Sequence, residues 1–421
     1  MSLKDAPKSE IDSIITLFSN NNLQEALKAS LFLIEEFPSD PLLLNILGAC
    51  HAGLEDLHSA VKNYKKAIAI KSDYAKAHYN LGVAFHELGQ LDESIISYET
   101  SLSIDPNYAE ACLNLGNAYK DNGQFDNAIE SYNDAIIIKP DYIEAHFSLS
   151  MVSQELGEFN DMIAHSKKVL EINPNLDMVH NSIGFGFKEL GQLDAAISSY
   201  QDALSINPNN SEAHNNLGNI FEELGKTNQA LKAYKDAIKI SPDFPTLHNN
   251  LGNAFKSLGQ LKDALISYEN ALKHNPDYAE AHNNIGLIFF DQKHYEKAIK
   301  SYQKAINSDQ NFANAHNNLG VVFNKIGQFD NAISSYNNAL SKRPNYADAH
   351  NNLGVLYQKN GQFNDAVNSY ENALDVNYDD ADTHNNLGNA LVELERLDDA
   401  INSYNNAIRI KPGMAEAHKN L

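Results

Sequence analysis

The sequence predicts an all-α protein, a right-handed solenoid of repeated helix-turn-helix units, and two observations support this prediction. The letters His-Asn-Asn-Leu-Gly at residues 214–218 return at 248–252, 316–320, 350–354 and 384–388, always at multiples of 34 residues. Each repeat also contains two stretches in which apolar residues follow helical spacing. A fixed period of this kind indicates copies of one supersecondary unit stacked on each other. We therefore expect one elongated domain, on the order of 100 Å long for helix spacings of about 8–10 Å.

The period divides the protein into an N-terminal segment, 1–6, and a single solenoid, 7–421. The segment is polar, and we expect it to be disordered. Unit 7–40 keeps Ala26 and Pro38 but lacks the Gly and Tyr of later units, which is typical of a terminal cap. The solenoid contains twelve full units and the beginning of a thirteenth: 7–40, 41–74, 75–108, 109–142, 143–176, 177–210, 211–244, 245–278, 279–312, 313–346, 347–380, 381–414 and the partial unit 415–421.

The pattern within each unit predicts a helical hairpin, as unit 211–244 illustrates. The apolar face of its first helix is formed by His214, Leu217, Gly218 and Phe221. Gly225 follows, as expected for a residue that ends a helix. The apolar stripe of its second helix is formed by Ala230, Leu231, Tyr234, Ala237 and Ile238. Pro242 ends this helix, because proline cannot continue one.

Small residues at two positions predict close contact between the helices of a unit. The eighth position is usually Gly and the twentieth is usually Ala, while Tyr occupies the twenty-fourth position in ten units. A side chain larger than methyl at the small positions would push the helix axes apart. Unit 143–176 departs most from this pattern, with Ser150, Met162, Ser166 and Val169 at its packing positions. We expect looser packing or a different curvature in that unit.

These motifs resemble the tetratricopeptide repeat. The resemblance rests on Leu-Gly at unit positions seven and eight, an aromatic residue at eleven, Gly at fifteen, Ala at twenty, Tyr at twenty-four, Ala at twenty-seven and Pro at thirty-two, and it covers residues 7–421. At the fourth position, where that family often has Trp, ten units carry His: His78, His146, His180, His214, His248, His282, His316, His350, His384 and His418. Helix spacings of about 8–10 Å keep equivalent imidazoles too far apart to share a metal ion. We expect these side chains to fill the core.

Asparagine recurs at two neighbouring positions of the unit. The sixth position, interrupted by Ser148 and Ser182, is Asn80, Asn114, Asn216, Asn250, Asn284, Asn318, Asn352, Asn386 and Asn420. The fifth position is also often asparagine: Asn45, Asn181, Asn215, Asn249, Asn283, Asn317, Asn351 and Asn385. Asn is an indifferent helix former, so a merely solvated surface would favour other residues. We expect both positions to point away from the core and to form the binding site.

A file of carboxamides can hold a peptide backbone, because each offers one acceptor oxygen and a nitrogen with two donors. The file is similar to that of the superhelical repeat arm of the O-linked N-acetylglucosamine transferases. That resemblance implies that the sixth-position asparagines line a concave groove and bind the backbone of extended polypeptides. Two alternatives stay open at this point. Asn is abundant throughout the sequence, and duplication of one unit would copy an Asn that had no role.

Composition narrows the classes of partner and compartment. The formal net charge of −23 makes nucleic acids and anionic membranes poor partners and favours basic or neutral peptide surfaces. The two cysteines, Cys50 and Cys112, imply no disulfide framework. No signal peptide is recognisable, and no apolar run approaches 18 residues. These features together predict a cytoplasmic protein.

The sequence contains no phosphate-binding Gly-rich loop, serine elbow or paired-cysteine motif, so it predicts no catalytic residue, metal or cofactor. We expect a non-enzymatic scaffold that binds extended polypeptides. The alternative is the substrate-recruiting arm of a larger enzyme, a protein O-GlcNAc-type glycosyltransferase whose catalytic domain lies beyond residue 421. Residues 415–421 favour this alternative, because they open a thirteenth unit without a polar capping helix. Such an end would also permit self-association through exposed apolar faces.

Overall fold

A computed structural model describes residues 6–421, and this part of the protein contains helices and no strand. Two helices form each full unit, as the sequence predicted, and the partial unit forms one short helix. The helices are α1 Lys8–Ser19, α2 Leu23–Glu36, α3 Pro41–Gly53, α4 Leu57–Ile70, α5 Ala75–Glu87, α6 Leu91–Ile104, α7 Ala109–Asp121, α8 Phe125–Ile138, α9 Ile143–Glu155, α10 Phe159–Ile172, α11 Asp177–Glu189, α12 Leu193–Ile206, α13 Ser211–Glu223, α14 Thr227–Ile240, α15 Pro245–Ser257, α16 Leu261–His274, α17 Ala279–Asp291, α18 Tyr295–Ser308, α19 Ala313–Lys325, α20 Phe329–Lys342, α21 Ala347–Lys359, α22 Phe363–Val376, α23 Ala381–Glu393, α24 Leu397–Ile410 and α25 Ala415–Asn420.

The first helix of each unit ends in a left-handed residue at the fifteenth position. In α13 this residue is Gly225, whose φ is 68°. Its N–H donates to the Glu222 carbonyl at 2.9 Å, and the Lys226 N–H donates to the Phe221 carbonyl at 2.7 Å. These bonds satisfy carbonyls that the end of a helix otherwise leaves open. Glycine accepts this conformation without a steric penalty, which explains its recurrence at the fifteenth position.

The core of each unit depends on contact between a glycine and a tyrosine. A Cβ atom built on Gly218 would lie 2.4 Å from Cε1 of Tyr234, and equivalent approaches recur in the other units that have this pair. Ala230 and Ala237 are completely buried on the same second helix. The predicted need for small residues is confirmed, since no larger side chain fits while the ring keeps its place.

Unit 143–176 compensates for its unusual residues by changing several contacts together. Ser150 and Ser166, which replace the Gly and Tyr, form a buried hydrogen bond of 2.7 Å between their hydroxyls. Met162 replaces the usual Ala and is fully buried. A Cβ on Gly186 of the next unit would lie 3.4 Å from Cε of Met162 and 2.9 Å from Cγ1 of Ile163. The packing is therefore rearranged, because Gly186 leaves room for the larger side chains of Met162 and Ile163.

The helices form two compact groups, each made of several repeat units. One group ends at Pro208 and the other begins at Asn209. The single solenoid over 7–421 therefore stays a prediction. Residues 1–5 of the predicted disordered segment lie outside the described residues. Ala6 is ordered and buried, contrary to that prediction, because its N–H donates to Oδ2 of Asp40 at 2.8 Å. No helix in residues 6–421 has the length and apolar character needed to cross a bilayer.

Candidate functional site

The asparagines at positions five and six form hydrogen bonds between successive units. In each case Nδ2 of a sixth-position Asn donates to Oδ1 of the fifth-position Asn in the preceding unit. The distance from Asn284 to Asn249 is 3.0 Å and the distance from Asn318 to Asn283 is 2.9 Å. We call this set the carboxamide ladder: Asn80 with Asn45, Asn250 with Asn215, Asn284 with Asn249, Asn318 with Asn283, Asn352 with Asn317, Asn386 with Asn351 and Asn420 with Asn385.

The ninth position contributes a third carboxamide that was not predicted from the sequence. Nδ2 of Asn284 also donates to Oδ1 of Asn253 at 3.1 Å, and the same oxygen accepts the hydroxyl of Tyr268 at 2.8 Å. Asn420 makes an equivalent second bond to Asn389 at 3.0 Å. The buried core tyrosine is thereby linked to the ladder through one oxygen. The signal was present in the sequence, since the ninth position is Asn in four units: Asn117, Asn219, Asn253 and Asn389.

Most fifth-position asparagines are buried, which corrects the expectation that both positions point away from the core; Asn215 and Asn351 are half-buried. Asn249 is 3% exposed and Asn283 is 6% exposed, because the next unit packs over them. The sixth-position side chains from Asn80 to Asn386 are half-buried, including Asn114 and Asn216. Asn114 donates to the hydroxyl of Tyr79 at 2.9 Å, since Tyr replaces Asn at the fifth position of the preceding unit.

The ladder step formed by Asn249 and Asn284 leaves one donor and one acceptor for an external molecule. Oδ1 of Asn249 is occupied by its bond from the next unit, but Nδ2 has no partner in hydrogen-bonding geometry within residues 6–421. The reverse holds for Asn284, where Nδ2 makes two bonds and Oδ1 has no such partner. Both of these atoms are accessible to water rather than buried. The C=O and N–H of a peptide backbone have the complementary chemistry.

The ladder is interrupted in the units that carry Ser148 and Ser182. The hydroxyl of Ser182 donates to the carbonyl of Met178 at 3.1 Å, a bond within its own helix. Phe147 and Met151 replace the carboxamides at positions five and nine in the first of these units, and both are exposed. In the first of these units the predicted break is therefore an exposed apolar surface.

Nine of the fourth-position histidines bond a carbonyl in the loop before their first helix. Nε2 of His248 donates to the Pro242 carbonyl at 2.7 Å, and Nε2 of His282 donates to the Pro276 carbonyl at 2.9 Å. The packing prediction is confirmed for five of them, which are buried: His146, His248, His282, His316 and His384. The hydrogen bond to the loop was not predicted. It requires the Nε2–H tautomer or the protonated ring, because a carbonyl only accepts.

Burial lowers the pKa of several of these imidazoles. Desolvation is the largest cause for His282, His316 and His384, and it disfavours the charged ring in each case. The loop carbonyls of Pro276, Gln310 and Tyr378 oppose this effect, because a charged ring donates more strongly to them. Within residues 6–421, no three His, Cys, Asp or Glu side chains are arranged to hold a metal ion.

Exposed carboxylates accompany the ladder at the second position of the first helices. They are Glu110, Glu144, Glu212, Glu280, Asp348 and Asp382. In an α-helix the second, sixth and ninth positions lie on one face. The ladder face, which we define as positions two, five, six and nine of the first helices, therefore combines amide groups with negative charge.

Family models match most of the sequence. A model described as TPR repeat matches 54–89, 84–123, 116–157, 186–225, 218–259, 252–293, 286–327 and 322–361. Models described as tetratricopeptide repeat match 143–176 and 351–415. No curated protein matches the sequence.

Three solved structures resemble the protein. Yeast Tom70 has 15% identity and a TM-score of 0.51, covering 98% of this chain and 93% of its own. The APC/C Cut9–Hcn1 hetero-tetramer has 15% identity and a TM-score of 0.49, covering 97% of this chain and 94% of its own. PilF of Pseudomonas aeruginosa has 23% identity and a TM-score of 0.45, covering 50% of this chain and 95% of its own. Tom70 supports an all-helical repeat fold, and such repeats are typical of protein–protein interaction. The family matches, which extend over more than half of the sequence, show that the chain belongs to the tetratricopeptide repeat family.

Proposed function

We propose that this protein is a non-enzymatic scaffold that binds extended polypeptides along the ladder face. The observation that carries the proposal is the free donor on Asn249 and the free acceptor on Asn284, in a step that the ladder repeats from unit to unit. A peptide backbone alternates C=O and N–H groups and can satisfy both. Because only backbone atoms of the partner take part, the ladder would accept many sequences.

The spacing of the units suits an extended peptide. Neighbouring first helices lie about 10 Å apart in such stacks. An extended peptide rises about 3.3 Å per residue, so one unit corresponds to about three peptide residues. The five ladder steps from Asn250 to Asn386 would then hold a segment of about 15 residues.

Exposed carboxylates at the second position favour partners with basic side chains. They lie on the same helix face as the ladder, where they would meet the side chains of a bound peptide. Ion pairs between exposed groups contribute little affinity each, but together they steer association and weaken as salt is added.

The proposal is tested with two ladder variants and one control. Replacing Asn250, Asn284, Asn318 and Asn352 by Ala removes four amide oxygens together with six inter-unit bonds. Replacing Asn215, Asn249, Asn283 and Asn317 by Asp keeps an acceptor for the inter-unit bond, removes the amide donors and adds negative charge. That charge favours a Lys-containing peptide, so weaker binding in spite of it reports the lost donors. Replacing the exposed second-helix residues Asn337, Asn338, Asn402 and Asn405 by Ala serves as the matched control.

Binding is measured by fluorescence anisotropy with a fluorescein-labelled 20-residue peptide of Ser, Thr and Lys. We expect both ladder variants to bind at least about tenfold more weakly, since each hydrogen bond contributes roughly 0.5–1.5 kcal/mol. The control variant is expected to match the wild type. Equal dissociation constants for all four proteins would show that the ladder is structural only.

The second candidate is the substrate-recruiting arm of a larger O-GlcNAc-type glycosyltransferase. The observation in its favour is the same file of carboxamides, which would present a polypeptide to a catalytic domain. Full-length transcripts decide between the two functions, because a glycosyltransferase domain in the same reading frame would favour the arm and its absence would favour the scaffold.

A further inference from the structure

A cavity of about 320 Å³ opens on the ladder face in the first repeats, between α1, α3 and the start of α5. Its walls are mostly apolar and include Ile15, Phe18, Leu42, Ile46 and Ala49. Ile15 and Leu42 are 42% and 41% exposed, although both are large aliphatic residues. Apolar side chains concentrated in one concavity are typical of a binding site, whereas single exposed ones are common on any surface.

The same cavity is lined by the first step of the carboxamide ladder, Asn45 and Asn80. Asn45 is only 5% exposed. Its Oδ1 accepts from Nδ2 of Asn80 at 3.0 Å, which leaves Nδ2 of Asn45 and Oδ1 of Asn80 without a partner in hydrogen-bonding geometry within residues 6–421. A nearly buried amide with an unpaired donor at an apolar cavity indicates a ligand that brings an acceptor and an apolar group together.

We propose that this cavity, which we call the anchor pocket, binds one bulky apolar side chain, Leu, Ile, Met or Phe, of a polypeptide held on the ladder. The backbone carbonyl of that residue accepts from Nδ2 of Asn45, and a backbone N–H donates to Oδ1 of Asn80. The inference rests on the proposed function and adds specificity to it. Elsewhere the carboxamides of the ladder recognise only the peptide backbone, whereas the anchor pocket selects an apolar side chain.

Charge at the pocket narrows the partner further. Lys76 lines the cavity and is exposed, at the second position of its unit. The following two units carry Glu110 and Glu144 at that position. The sign of the exposed charge therefore changes from positive to negative along the first helices. The matching segment has an acidic residue beside its apolar anchor and basic residues farther along the ladder.

The test uses two labelled 20-residue peptides of Ser, Thr and Lys with one Glu beside the central position, which is Leu in one peptide and Ala in the other. Wild-type protein is expected to bind the Leu peptide about tenfold or more tightly, the usual effect of burying such a side chain. Ala49→Leu places a larger side chain in the pocket. It should remove the preference for the Leu peptide without weakening the binding of the Ala peptide. Val83→Leu makes a similar change at the equivalent ninth position of the next unit and should leave the preference intact.

Leu42→Asn provides a second variant that does not depend on fitting a larger residue into the structure. Leu42 is exposed, so its replacement should preserve folding while reducing the preference for the Leu peptide by several fold. Thermal unfolding followed by circular dichroism confirms that each variant is folded.

The outcomes separate the pocket from the ladder. Equal binding of both peptides by wild-type protein would overturn the anchor pocket and leave the proposed function standing. Failure of both peptides to bind would overturn both. A concentration-dependent mass in sedimentation that Ala49→Leu abolishes would also overturn the inference, because a second copy of this protein would then occupy the pocket.

Discussion

The two asparagines of one ladder step differ because the bond between them uses opposite ends of the two amides. Asn249 pairs its oxygen within the protein and leaves its nitrogen unpaired, whereas Asn284 pairs its nitrogen and leaves its oxygen unpaired. A residue type with both a donor and an acceptor is needed for each role. Under the proposed function, stability and binding depend on the same side chains, so the Asp variants, which keep the inter-unit acceptor, are needed to separate the two effects.

We predict that Asn284→Ala is more destabilising than Asn352→Ala. Asn284 donates to two oxygens, those of Asn249 and Asn253, whereas Asn352 makes one ladder bond, to Asn317. Removing the donor leaves the nearly buried Asn249 oxygen unsatisfied, which costs about 1–3 kcal/mol. Urea midpoints of the two variants, compared with the exposed-site variant Asn338→Ala, measure the difference. A smaller effect for Asn284→Ala than for Asn352→Ala would contradict the bonding scheme.

Sequence periodicity predicted the helices well because the residues that end them act locally. Gly225 and Pro242 mark the ends of α13 and α14 through backbone conformation alone, and the structure places both ends within two residues of them. The partner of an asparagine depends instead on how one helix lies against the next. The bond from Asn284 to Asn249 crosses 35 residues, so the sequence revealed the repetition of these side chains but not their pairing. The loop carbonyls bound by histidine were missed for the same reason.

At the scale of a single hairpin, the unit with α17 and α18 carries strain at its turn. Lys293 occupies the left-handed position with φ 61°, where eight other units have Gly. A side chain there clashes with its own backbone by roughly 1–2 kcal/mol. We predict that Lys293→Gly stabilises the protein by up to about 1 kcal/mol, because the gain is partly offset by the greater freedom of glycine in the unfolded state.

Thermal and urea unfolding measure this prediction, with the reverse change as its control. Gly225→Lys introduces the same residue at the equivalent turn of α13 and should destabilise the protein by a similar amount. Glu395→Gly, at φ 59°, should repeat the stabilisation in another unit. If Lys293→Gly and Glu395→Gly both lower the unfolding temperature, backbone conformation does not determine the residue at this turn.

For the molecule as a whole, the buried histidines link stability to pH. Burial lowers the pKa of His282, His316 and His384 in the folded protein. In the unfolded protein, histidine has a pKa of about 6.5. The unfolded protein therefore binds more protons than the folded protein at mildly acidic pH. The stability that these groups contribute is fully present above about pH 6.5 and is lost as the pH falls through their lowered folded pKa values.

We expect the urea midpoint to fall between pH 7 and pH 5.5, and to fall less in the triple variant His282→Gln, His316→Gln and His384→Gln. Glutamine keeps an N–H for the loop carbonyl but does not titrate. The exposed histidines His58, His294 and His418, replaced by Gln together, control for the loss of imidazole and should leave the wild-type pH dependence unchanged. The net charge of −23 has the opposite effect on stability, because protonating carboxylates at lower pH relieves their mutual repulsion. Most carboxylates titrate below about pH 5, outside this pH range. A pH dependence as steep in the buried-site variant as in the wild type would assign the acid sensitivity to other groups.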